Sequence, residues 1–253
     1  MESLKNILLQ VTDSIGIITI DNPPGNFLIK PEFIPLNTLK DWIEINQLKG
    51  IIICGTGKHF SGGANLGNLF SMADAPGEMM QEMNQGKVLL DYIESLTIPV
   101  IAAIHGTCFG GGLEIALACH IRICSENALF AFPEINHGLM PGLGGLGRTK
   151  ERSSFHDTIT FILGGDMISA KEALSIKITD QIVPSADLLN HSFNLLKKMT
   201  DDRDLKVIHF VMKAIHNTRT LSKEEAMKEE TRMFCELAKD EVERQRREKH
   251  ENQ

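Results

Sequence analysis

The sequence has no excess of positive charge: 26 Lys and Arg face 33 Asp and Glu over 253 residues, a formal net charge of −7. General nucleic-acid binders carry a basic excess, and so do proteins that adsorb to anionic membranes, so neither is expected as a partner. Cys-x-x-Cys pairs are absent, and Cys54, Cys108, Cys119, Cys124 and Cys235 are an odd number. That argues against a disulfide framework and for reduced thiols serving as small core residues. No run reaches the ~18 uncharged apolar residues that a spanning helix needs. The best candidate, Pro99 to Cys119, carries His105, Glu114 and several glycines, which marks a buried segment instead. The opening MESLKNILLQ has no basic start, no long apolar stretch and no small-residue cleavage site. A cytoplasmic location is expected. His59, His105, His120 and His137 are scattered, and no His/Cys/Asp cluster has metal-ligand spacing, so no metal is expected.

What is present is an ordinary globular composition, 42% hydrophobic and 23% charged, in a chain long enough to bury its own core. Two β-rich runs, Ile7–Val11 and Ile15–Ile20, flank the turn Thr12-Asp13-Ser14. The loop Asp21–Asn26 is followed by a helical pattern over Leu36–Gln47, then a short apolar strand at Ile51–Cys54. A helix is expected from about Gly77 to Leu96, a buried strand at Pro99–Ile104, a loop at His105–Gly112 and a helix at Leu113–Cys119. Ile121–Cys124 and Leu129–Phe132 read as two more strands, and beyond Pro141 the apolar spacing is helical almost throughout. Short strands alternating with helices, then helices alone, define an α/β core with a helical C-terminal region. The strand–strand–helix rhythm recurs loosely, as a stacked, solenoid-like sheet arrangement would require.

Three segments could carry chemistry. Gly142-Leu143-Gly144-Gly145-Leu146-Gly147 matches the G-x-G-x-x-G dinucleotide fingerprint, but that motif needs a strand before it. The preceding Asn136–Pro141 is turn-like, so a tight helix-entry loop is expected and no nicotinamide or flavin site. In His105–Glu114 a strand runs through glycines directly into a helix, whose first amides are free to receive developing negative charge. Glu114, one turn into that helix, can lie beside the same spot. The loop Phe60–Leu66 has the same character, and two such amides converging on one oxygen would form an oxyanion hole. Phe130-Ala131-Phe132-Pro133-Glu134 ends an apolar, aromatic strand in a carboxyl whose surroundings disfavour ionisation. Taken singly, each has a plain alternative: tight packing for the glycine junction, an exposed loop acid for Glu134.

Taken together they resemble the crotonase, or enoyl-CoA hydratase/isomerase, superfamily. The resemblance rests on Phe60-Ser61-Gly62-Gly63-Ala64-Asn65-Leu66, Ile98–Gly106 leading into Gly110-Gly111-Gly112-Leu113-Glu114, Phe132-Pro133-Glu134-Ile135, Gly138–Gly145, Leu163–Ala170 and Ala173-Leu174. These stand in family order across roughly residues 8 to 185. The resemblance implies a ββα spiral core over 1–185 that binds an acyl thioester, and a helical trimerisation or lid region over 186–253. It further implies homotrimers or dimers of trimers. By motif position the oxyanion donors would be Ala64 and Gly111, the catalytic acids Glu114 and Glu134, and the substrate-binding residues Asn26, Phe27, Asn65, Leu66 and Gly110. The substrate would be an acyl-CoA or acyl-carrier-protein thioester, with coenzyme A part of the substrate and no further cofactor. Retention of both glutamates implies a hydratase; a double-bond isomerase and a non-catalytic binding protein are the alternatives. Departures are Asn65 in place of an aspartate, a short helix after the first proline-rich loop, and a charged end, Arg244–His250, without the usual glycine and phenylalanine. An apolar acyl pocket is expected from Leu69 to Leu90, where Met72, Met79, Met80 and Met83 cluster.

Overall fold

Three nearly unbroken apolar stretches become the middle of a sheet, because strands covered on both faces need no alternation with polar residues. In the computed structural model, which describes residues 4–65, 67 and 75–251, these are β2 (Ile15–Ile20), β3 (Gly50–Gly55) and β4 (Val100–Ile104). β1 (Ile7–Thr12) forms an antiparallel hairpin with β2 and takes the edge, where its side chains are largely exposed. β6 (Ile121–Ser125) and β9 (Gln181–Val183) complete a six-stranded sheet in the order β1-β2-β3-β4-β6-β9, parallel from β2 onward. A second sheet of β5 (Thr107–Phe109), β7 (Leu129–Ala131) and β8 (Ile168–Ser169) runs in the order β5-β7-β8.

Two expectations are corrected here. His105–Gly112 is not wholly loop: Thr107–Phe109 pairs in parallel with Leu129–Ala131. Nor are helices alone found beyond Pro141, since Ile168–Ser169 and Gln181–Val183 are strands. Both are too short to show periodicity and are held by partners far away in sequence.

The described residues fall into two compact units, one within 1–94 and 99–201, the other within 95–98 and 202–253. In the first, the helix Leu188–Thr200 lays Leu188 and Leu196 on Ile15, Ile52, Ile101 and Ile123 of the sheet. That helix therefore belongs with the sheet, although the sequence pattern groups it with the C-terminal helices. The second unit contains the helices Leu205–Thr220 and Lys223–Glu251, tied by Lys206 to Glu236 and Asp240. Four cysteines are buried as expected, whereas Cys235 is exposed on the last helix. Among the described residues no helix is long and apolar enough to cross a membrane.

Candidate active site

The parallel register of β5 with β7 sets the site. Phe109 stands opposite Ala131, and the Gly110 amide donates to the Ala131 carbonyl, so the chain leaving each strand emerges side by side. From β5 the chain turns through Gly110 (φ 48°) into the helix Gly111–Ala118. From β7 it passes Phe132 into a 3-10 turn, Pro133–His137, that carries Glu134. The two exits touch: a Cβ on Gly110 would lie 2.5 Å from Glu134 Oε1. Glycine is therefore required at 110 by both its positive φ and its neighbour.

Gly62–Asn65 is threaded between two other segments. The Leu28 amide donates to the Gly63 carbonyl and the Asn65 amide to Leu28, while alongside β5 the Ser61 amide donates to the Thr107 carbonyl and the Phe109 amide to the Ser61 carbonyl. A Cβ on Gly63 would come within 3.4 Å of the Gly111 nitrogen, and one on Gly111 within 3.9 Å of the Ala64 nitrogen. The Ala64 and Gly111 amides are thus neighbours, and among the described residues neither donates to a backbone acceptor. Two such amides, one at a helix start, can stabilise an oxyanion without reorganisation.

Both amides and both glutamates line one cavity of about 430 Å³, together with Phe27, Leu28, Asn65, Gly110, Met79 and Met83. Glu114 is 2% exposed, and its Oε1 accepts from the amides of Leu143 (2.6 Å) and Gly145 (2.8 Å). Burial pushes its carboxyl up to about 7, against the pull of those two bonds, with smaller contributions from Glu134 (upward) and Arg148 (downward). Burial also raises the Glu134 carboxyl, whose own backbone amide opposes the shift. Among the described residues, Glu134 Oε2 is buried without a hydrogen-bond partner. Glu134 lines the cavity, and a carboxyl oxygen left unpaired in the protein is suited to bonding water or a polar substrate atom once the surroundings open to it.

Not every expected residue arrives here. Asn26 is fully buried: Nδ2 donates to the carbonyls of Thr56 (2.8 Å) and His59 (2.6 Å), and Oδ1 accepts from the Asn22 amide. Its side chain is committed to loop structure, and Asn26 is not among the residues that line the cavity. It acts one step removed, because Ser61 Oγ donates to the Asn26 carbonyl and accepts from the Gly63 amide beside Ala64. Of the methionines, Met79 and Met83 reach the cavity, whereas Met80 is exposed and lines a separate surface groove with Val88. Leu66, Leu69 and Met72 lie outside the described residues. The G-x-G-x-x-G run is a helix entry: Gly144 (φ 95°) precedes the helix Gly145–Arg152, and a 3-10 turn rather than a strand stands upstream. Missed from the sequence were Ser61, the amides of Leu143 and Gly145, and Arg148, which is 6% exposed and bonds Asp91, Glu94 and the Leu143 carbonyl. A charged residue four places after the αL glycine was the available signal for Arg148.

The raised Glu114 carboxyl makes a stability prediction. A native pKa above the ordinary 4.5 means the folded protein binds more protons than the unfolded chain between about 4.5 and 7. The corresponding stability is present at acid pH and is lost as pH rises through about 7. Glu114→Gln removes the ionisation, so the variant should gain on the parent by about 3 kcal/mol at pH 8 and by little near pH 4.5. Thermal melts of both proteins across that range check this; a gap that did not widen with pH would refute it.

Parallel strands feeding helices through glycine junctions are the arrangement of the crotonase fold. A family model described as enoyl-CoA hydratase/isomerase matches residues 10–251. A "probable enoyl-CoA hydratase" of Bacillus subtilis is 32% identical over 236 residues, covering 92% of this chain and 90% of that one. The chain belongs to the enoyl-CoA hydratase/isomerase family. Among solved structures, DspI of Pseudomonas aeruginosa superposes with a TM-score of 0.82 at 28% identity, covering 94% of this chain and 97% of that one. An enoyl-CoA hydratase from a Polaromonas species gives a TM-score of 0.83 over 91% of this chain and 90% of that one, and at 23% identity speaks for the fold alone.

Proposed function

We propose that this protein is a hydro-lyase that adds water to, or removes it from, an α,β-unsaturated acyl thioester. The observation that carries the reading is the meeting of Glu114, Glu134 and the Ala64 and Gly111 amides at one largely apolar cavity. In this reading the thioester oxygen accepts from both amides, which draws electrons out of the conjugated double bond and leaves Cβ electrophilic. Water held by the two carboxyl groups adds its oxygen to Cβ and gives its proton to one carboxylate. The electron pair displaced from the double bond resides as enolate on the thioester oxygen. Protonation at Cα by the acid pair then restores the thioester. Two carboxyls with raised pKa values suit that sharing, since one can be neutral while the other is ionised near neutral pH.

Amides and carboxyls supply all the charge stabilisation and proton transfer this sequence of steps needs, so the reading includes no metal or redox cofactor. Coenzyme A or a carrier protein enters as part of the substrate. The experiment is loss of the conjugated absorbance of crotonyl-CoA on mixing with purified protein; a wild type inert towards it and towards longer 2-enoyl thioesters defeats the reading. One observation favours a second reading, double-bond isomerisation. Glu114 Oε1 is pinned by two amides while, among the described residues, Glu134 Oε2 has no hydrogen-bond partner, as expected if one acid shuttled the proton alone. Conversion of a 3-enoyl thioester without hydration would select it.

The acyl group is assigned to the wall formed by Met79 and Met83. The Met83 methyl abuts Gly142, closing that side of the cavity with a flexible thioether. Replacing both with polar residues should shift the chain-length preference in kcat/KM across a series of 2-enoyl thioesters; an unchanged profile would remove them from the acyl pocket. Assembly as a homotrimer or dimer of trimers is part of the same reading. It is supported by apolar side chains left exposed on the C-terminal helices, Val211, Ile215, Met227, Phe234 and Val242.

A further inference from the structure

Among the described residues, the Glu114 carboxyl is hydrogen-bonded by backbone amides alone, and those amides belong to a short glycine-rich turn with little intrinsic rigidity. Something must fix the turn, and Arg148 is built to do so. Its Nη1 donates to the Leu143 carbonyl (2.7 Å), its Nε to Glu94 (2.8 Å) and its Nη2 to Asp91 (2.5 Å). Its own amide donates to the Gly144 carbonyl (3.2 Å), and a Cβ on Gly144 would lie 2.5 Å from Nη1. The guanidinium is thus enclosed by the turn on one side and by the helix Pro76–Ser95 on the other. Leu143 is the shared residue: its carbonyl accepts from Arg148 and its amide donates to Glu114.

We propose that Arg148 is the positioning residue for Glu114, anchoring the Leu143–Gly145 turn to the helix Pro76–Ser95 so that both turn amides converge on one carboxyl oxygen. The fork geometry is the reason for arginine, since Nε, Nη1 and Nη2 present their donors from three fixed, separated positions, whereas an ammonium's three donors share one nitrogen on a flexible stem. The anchored oxygen, Oε1, leaves the other carboxyl oxygen as the one available for chemistry. The anchor also carries charge. Glu114 faces Glu134 from the turn after β7 and Arg148 from the helix Gly145–Arg152, with Asp91 and Glu94 behind the arginine and His137 at the same cavity. Arg148 favours the Glu114 carboxylate, and its two acidic partners temper that effect. The helix Pro76–Ser95 also carries Met79 and Met83, so the segment that shapes the cavity wall also braces the acid.

This proposal rests on the reading that Glu114 works on the reacting atoms, and its test is chosen to be separable from that reading. Glutamate side chains labelled at the carboxyl carbon are titrated by NMR in the ligand-free protein, with Glu114→Gln identifying the signal. Arg148→Met must raise the Glu114 pKa, because it removes both the charge and the brace on the two amides. Glu94→Gln must not raise it, because it leaves the guanidinium less neutralised. A merely structural arginine would move the two variants alike, through general loosening of the site. A rise in both, or no rise in Arg148→Met, overturns the proposal. Should Arg148→Met fail to fold, Arg148→Lys replaces it; that variant keeps the charge but not the fork, and a smaller rise is required of it. In turnover, kcat should fall by up to about 100-fold with KM little changed, as for a misplaced catalytic group. An inactive wild type with these titration shifts would refute the hydratase reading and leave the brace standing; an active wild type without them would do the reverse.

Discussion

Glu114→Gln and Glu134→Gln are each expected to lower hydration of a 2-enoyl thioester by about 10²–10⁴-fold, the usual range for a positioned acid–base group. Both substitutions keep the shape of the side chain. In Glu114→Gln the amide oxygen can still accept from Leu143 and Gly145, so the fold should survive. At Glu134 the polar head stays against Gly110, where the space is already filled. The double variant should be barely slower than the worse single one, since the pair handles one water as a unit. Stopped-flow absorbance with purified proteins measures all three rates. An isomerase separates cleanly: one substitution would abolish 3-enoyl conversion and the other would matter little. Equal, modest losses in both single variants that multiplied in the double would mean that the acids act independently, and would reject the shared-water mechanism.

How much of this was legible beforehand follows from the range of the interactions. The hairpin β1–β2, the buried runs of β3 and β4 and the helix Pro76–Ser95 are local patterns of apolar residues, visible in sequence to within one or two positions. The glycine junctions were legible because their chemistry is local too: a strand, a left-handed glycine and a helix start follow one another within six residues, from Phe109 to Glu114. β5, β8 and β9 were not, since two- and three-residue strands have no period and exist only through their partners. Motif position placed Asn26 among the substrate-binding residues; that its side chain is tied to the carbonyls of Thr56 and His59, some thirty residues away, is invisible in sequence for the same reason. The Arg148 cluster draws on Asp91, Glu94, Glu114, Leu143 and Gly145, and no spacing rule joins positions that far apart.

Gly63→Ala is expected to lower kcat by about 10²–10³-fold, the loss typical of a disabled oxyanion donor, although Gly63 itself contributes no donor. The reason is its place between the two amides. Its φ is 87°, and an added methyl would sit 2.7 Å from the Phe109 carbonyl oxygen and 3.4 Å from the Gly111 nitrogen. Relief has to come from moving either the Ala64 loop or the end of β5, and both movements spread the pair that the thioester oxygen must bridge. Substrate binding depends mainly on the apolar wall, so KM should change much less than kcat. Strain alone could mimic this, since a non-glycine residue held at such a backbone angle costs about 1–3 kcal/mol. Gly57→Ala controls for it: φ there is 66°, but an added Cβ meets nothing within 4 Å. Both variants should therefore lose stability in thermal melts, Gly63→Ala the more because of its clash, while only Gly63→Ala loses turnover. Wild-type rates in Gly63→Ala, or an equal loss in Gly57→Ala, would show that the Ala64 and Gly111 amides do not act together on the substrate. In that case the acids, and not the amides, would have to bear the developing charge.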